Sequence, residues 1–130
     1  MSLEVSQEIV KQAQDGQVKK EDFINIVRES LPFAWGVVSE LAEIRNSASE
    51  SGLATFGPPS LGDTERAQLL RMMAGTRIRT AVEEYFGVTL AFQNCHGMAA
   101  AILPDDQEAF ERYISIEAQI LNQSPEMRDC

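Results

Sequence analysis

The chain has 130 residues, 20 of them acidic and 11 basic, for a formal net charge of −9, and 44% of its residues are hydrophobic. That is the length and apolar content of one folded domain with its own core, and it excludes an intrinsically disordered chain. The acidic balance opposes binding to duplex DNA or to an anionic membrane surface, and favours a basic partner or plain solubility.

In chain order, residues 3–14 read as an amphipathic helix with Val5, Ile9 and Ala13 on one side, stopped by Asp15 and Gly16. Glu4 and Glu8 stand where a signal peptide carries positive charge, and the apolar run 98–103 is far short of a membrane span. The expected compartment is therefore the cytoplasm, where Cys95 and Cys130 stay thiols. A second helix starts at Lys19 or Lys20, with Phe23, Ile24, Val27 and Leu31 on its apolar stripe. Pro32 removes a hydrogen bond from any helix that runs through it, so Ser30 is expected to cap a third helix over 32–45 with Pro32 in its first turn. Phe33, Trp35, Val37, Val38, Leu41 and Ile44 make that helix apolar around much of its circumference. It belongs at the centre of the fold or at an interface, and a homodimer is one way to cover it.

Residues 46–62 are rich in Ser, Gly and Pro and read as an irregular loop that Leu53, Phe56 and Leu61 dock locally. Asp63 is expected to cap a helix from Thr64. Leu69, Leu70 and Met73 then cluster on one side, while Ile78, Val82, Tyr85 and Phe86 cluster nearly opposite, which predicts a break at 74–76 around Gly75. Gly87 ends the second half as a left-handed cap. Val88, Leu90 and Phe92 alternate with Thr89, Ala91 and Gln93, a strand pattern, and 98–103 is the return strand of a hairpin. With His96 and Gly97 as a two-residue loop, Cys95 faces Met98, Phe92 faces Ala101 and Leu90 faces Leu103. Asp105 with Glu108 reads as a capping box for a last helix to Leu121, its stripe formed by Phe110, Ile114, Ala118 and Leu121 and widened by Tyr113, Ile116 and Ile120. The tail at 123–130 is polar and expected to be loose. The fold class is α+β: a single, mostly helical domain of five to six helices with one β-hairpin before the C-terminal helix. Its core is expected from the second, third and last helices, with Trp35 near the middle.

Chemistry is sparse. Cys95 and His96 could pair as a thiol and its base, but neighbours on a strand point to opposite faces, and a turn histidine also serves backbone geometry. Cys95, His96 and Cys130 are too few and too badly spaced for a zinc site, so no metal or cofactor is expected. Arg66, Arg71, Arg77 and Arg79 form the one basic stretch and are the candidates for binding an anion or nucleic acid; ion pairing with the many carboxylates is the plainer account. Glu21 with Asp22 and Asp105 with Asp106 read as helix-dipole partners, and Glu83 with Glu84 as a solvated face. No phosphate-binding glycine motif, GxSxG or HExxH is present. The sequence therefore reads as a small acidic cytoplasmic binding or regulatory protein, non-catalytic, acting through protein–protein contacts or self-association. The alternatives are a thiol-dependent enzyme or redox-responsive protein using Cys95 and His96, and nucleic-acid or anion binding through Arg66, Arg71, Arg77 and Arg79.

Overall fold

A computed structural model describes residues 2–57, 61–94 and 97–121. Within these the chain forms α1 (Gln7–Gln14), α2 (Lys20–Ser30), α3 (Pro32–Ser47), β1 (Ala54–Phe56), α4 (Asp63–Ala74), α5 (Thr76–Phe86), β2 (Thr89–Asn94), β3 (Gly97–Ala101), α6 (Gln107–Tyr113) and α7 (Ile116–Leu121). The protein is a mostly helical α+β domain with a small antiparallel sheet, as the sequence pattern requires.

Helix α3 is central. Ala34, Val37, Val38, Leu41 and Ala42 are all buried, and the helix packs against α2, α4, β1 and β3. Most of its apolar girth is thus covered within the chain, while Ile44 stays half exposed. Pro32 sits at its start as expected, but Ser30 is not its cap. The Ser30 hydroxyl accepts from the Glu4 N–H at 2.8 Å instead, and the free N–H groups of Phe33 and Ala34 donate to the buried Gln68 side-chain oxygen of α4, at 2.7 and 3.2 Å. A helix start inside a protein must find acceptors somewhere, and here a neighbouring helix supplies one.

The break between α4 and α5 falls at Gly75, and the two halves bury different faces: Leu69, Met72 and Met73 from α4, Ile78 and Val82 from α5. Leu70 stays exposed. Helix α4 starts one residue before the expected position. Gly62 is its cap residue, Glu65 accepts from the Gly62 N–H at 3.2 Å, and Asp63 pairs with Arg66 within the helix. Gly87 adopts φ +69°, the left-handed cap expected there.

Among the described residues the sheet has three strands rather than a lone hairpin, in the order β1-β3-β2. The third strand comes from the segment expected to be irregular, pairing Ala54 with Ala100, Thr55 with Ala99 and Phe56 with Met98. This answers a physical need, since an isolated hairpin is marginal in water. The hairpin register also differs: Leu90 faces Ala100, Ala91 faces Ala99 and Phe92 faces Met98, with an irregularity between Phe92 and Asn94. Residues 95 and 96 lie outside the described residues. Central strand β3 buries Met98, Ala99, Ala100 and Ala101 together, so both faces of the sheet are covered there. Alanine is a poor strand former, but its small side chain lets the elements above and below approach closely.

Three expectations about the ends fail. The first helix begins at Gln7, capped by the Ser6 hydroxyl, and buries nothing; Leu3 packs on the core from outside it. The last helix breaks at Ile114 and Ser115 into α6 and α7, and neither contributes a buried residue. Helices α4 and α5 take the place in the core assigned to it, and Trp35 sits at the core margin. The tail at 123–130 lies outside the described residues.

Candidate functional site

The residues first nominated for chemistry, Cys95 and His96, lie outside the described residues, as does Cys130. Among the described residues no three His, Cys, Asp or Glu side chains gather as a metal site. The four arginines are not brought together. Arg66 pairs with Asp63 and donates to the Leu61 carbonyl at 2.8 Å. Arg79 donates to the Met73 carbonyl at 3.2 Å, satisfying the end of α4. Arg71 is exposed, and Arg77 lines a cleft.

That cleft lies between α2 and α5 and has a volume of about 580 Å³. Helix α2 lines it with Glu21, Ile24, Asn25 and Arg28, spaced so that one face of the helix carries all of them. Helix α5 answers with Arg77, Ala81, Glu84 and Tyr85, again one face. The short side chains of Asn25 and Ala81 leave space between the helices, and Phe23 and Ile24 supply apolar wall. Lys20 meets Glu84 at 3.8 Å, an exposed pair of little energetic weight.

At one end of the cleft is an aromatic cluster. The rings of Trp35, Tyr85 and Phe86 lie 4.9 to 5.1 Å apart, centre to centre. The Arg28 guanidinium carbon sits 4.7 Å from the Trp35 ring centre and 5.6 Å from that of Tyr85, and Arg28 donates to the Tyr85 hydroxyl at 3.0 Å. Stacking and a hydrogen bond together hold this cation in one orientation.

A second polar centre is buried on the far side of α3. The Asp106 carboxylate accepts from Arg45 Nε at 2.5 Å and Nη2 at 3.0 Å, from the Gly52 N–H at 2.6 Å and from the Ile102 N–H at 2.7 Å. These charged and backbone donors hold its carboxyl down at about 2: the Arg45 hydrogen bond lowers it most, against the desolvation that opposes it. The same pairing raises Arg45. Asp106, not the expected Asp105, is the cap residue of α6, and its carboxylate is turned inward rather than onto the helix N–H groups. Every acceptor site of the pair is engaged by the protein itself, which makes it a structural clasp.

The whole chain, residues 1–130, matches the family model described as NucS shadow ORF. The chain belongs to that family. Comparison with curated proteins and with solved structures gives no match.

The third feature of this family member is a ridge on the C-terminal helices. Ile116, Ile120 and Leu121 are 77%, 66% and 80% exposed, and Ile114 is half exposed beside them. Glu108, Glu111 and Glu117 lie on the same two helices, and the one arginine among them, Arg112, is paired with Glu108 at 2.8 Å.

Sequence reasoning missed the cleft, the clasp and the exposure of the ridge. The cleft had a visible signal: Arg77, Ala81, Glu84 and Tyr85 at helical spacing, a charged stripe with a gap at alanine. The clasp had none, because Arg45 and Asp106 are 61 residues apart.

Proposed function

We propose that this protein is a cytoplasmic, non-catalytic binding protein that acts through protein–protein contact, with the apolar ridge of α7 and Ile114 as its contact surface. The observation that carries the reading is the exposure of Ile116, Ile120 and Leu121 on one short helix, α7, with half-exposed Ile114 just before it. Single exposed apolar residues are ordinary, but a contiguous group of them marks an interaction surface. The family description names no activity, so the reading rests on this surface. The flanking glutamates select the occupant: an apolar groove with a basic rim fits, whereas a second copy would set carboxylates against carboxylates. No helix among the described residues is long and apolar enough to cross a membrane, so the ridge has no bilayer-spanning role as a helix.

The test is Ile116→Asp with Ile120→Asp, substitutions at sites that bury nothing, so the fold stays intact by circular dichroism. Affinity capture from the native host with wild type and variant is compared by quantitative mass spectrometry. A protein with a basic surface that is retained by wild type and lost by the variant supports the reading. Identical capture by both overturns it. A concentration-dependent dimer in sedimentation velocity that the same substitutions abolish assigns the ridge to a second copy instead.

A further inference from the structure

We propose that the cleft between α2 and α5 is a binding site for a small amphiphilic anion, an apolar tail ending in a carboxylate. It is distinct from the ridge and does not depend on it. The charge of the cleft is the first argument. Lys19, Lys20, Arg28 and Arg77 line it against two carboxylates, Glu21 and Glu84, so it is locally positive on a chain whose formal charge is −9. Lys19, Arg28 and Arg77 form no ion pair with a carboxylate among the described residues, and all three face this one space. A concave, low-dielectric wall concentrates the field of those cations on whatever enters.

Arg28 is the second argument. Its guanidinium is fixed over Trp35 and tied to the Tyr85 hydroxyl, so little side-chain entropy remains to be lost when a carboxylate takes its other N–H groups. The apolar wall is the third. Phe23, Ile24 and Ala81 offer the tail a surface to bury, and about 580 Å³ is within the range of small-molecule pockets. A lining whose exposed surface is mainly apolar, although charged groups rim it, selects a tailed carboxylate over a bare inorganic anion. The exposed Lys20–Glu84 pair, at 3.8 Å, acts as a weak latch: an incoming carboxylate replaces Glu84 at Lys20.

Decanoate below its micellar concentration is the probe, titrated calorimetrically into the full chain, with Trp35 fluorescence reporting occupancy beside Arg28. Decanol and decyltrimethylammonium carry the same tail without the negative charge. The expected result is one saturable site for decanoate, about tenfold weaker binding of decanol, and no binding of the ammonium. Arg77→Gln, at an exposed position, weakens decanoate about five- to tenfold without unfolding the protein. Glu84→Gln strengthens it severalfold, because it removes a competing charge and frees Lys20. Absence of a saturable site, equal affinity for decanol and decanoate, or indifference to both substitutions overturns the proposal.

Discussion

Asp106 shows how much one buried carboxylate can organise. It gathers donors from α3, from Gly52 in the segment before β1 and from Ile102 after β3, at 0% side-chain exposure. Asp106→Ala leaves Arg45 charged and unpaired in the interior, so a loss of about 3–5 kcal/mol in urea denaturation is expected. Replacing both partners by apolar residues often restores stability when a buried ion pair stands alone. Here it does not, because the N–H groups of Gly52 and Ile102 lose their acceptor too. Arg45→Met with Asp106→Leu should remain destabilised, by about 1–3 kcal/mol for each donor left unsatisfied. The pH dependence follows the same residue. The folded carboxyl titrates at about 2, below the ordinary aspartate value near 4, so the unfolded chain binds this proton first. The contribution is complete above roughly pH 4 and is lost as the pH falls towards 2. Urea midpoints measured from pH 6 downward should fall steeply in that window for wild type, and Asp106→Ala should lack that component.

Two glycines at the ends of α5 separate cause from coincidence. Gly87 has φ +69°, where a β-carbon meets no neighbour but the backbone conformation itself is strained. Gly87→Ala should cost about 1 kcal/mol by thermal or urea unfolding. Gly75 stands at φ −96° and ψ 131°, open to any residue, with nothing within 4 Å of an added β-carbon. Gly75→Ala should therefore be neutral or slightly stabilising and should leave the break in place. The break belongs to the two buried faces and to Arg79, which holds the Met73 carbonyl. This divides what the sequence made legible from what it did not. Positions set by local rules were readable: Pro32 at a helix start, Gly87 at a helix end, the change of apolar face across 74–76. Positions set by partners distant in the chain were not. The Gln68 cap on α3, the pairing of Ala54 with Ala100 and the inward turn of Asp106 each depend on a contact across more than 30 residues. The hairpin register was misread because a loop length was assumed, and an irregularity between Phe92 and Asn94 shifts every pair beyond it. The amphipathic stripe of the last helix was real in sequence, but Ile116, Ile120 and Leu121 point to solvent.

At the scale of the whole molecule, the distribution of charge matters more than its sum. The basic stretch 66–79 is spread over two helices, with Arg66 and Arg79 already engaged and Arg77 in the cleft. A net charge of −9 surrounds it. Duplex DNA should give no mobility shift even at low salt, where any phosphate-binding stripe is strongest. The positive cleft and the apolar ridge, by contrast, lie on different elements. The strand order β1-β3-β2 carries a further consequence, for biosynthesis. The middle strand is the last of the three to be made. Until residue 101 has left the ribosome, β1 and β2 have no partner to pair with, and the residues of α3 that pack on β3 stay uncovered. Emergence of β3, rather than growth of the first half of the chain, is the moment at which this protein can close its core.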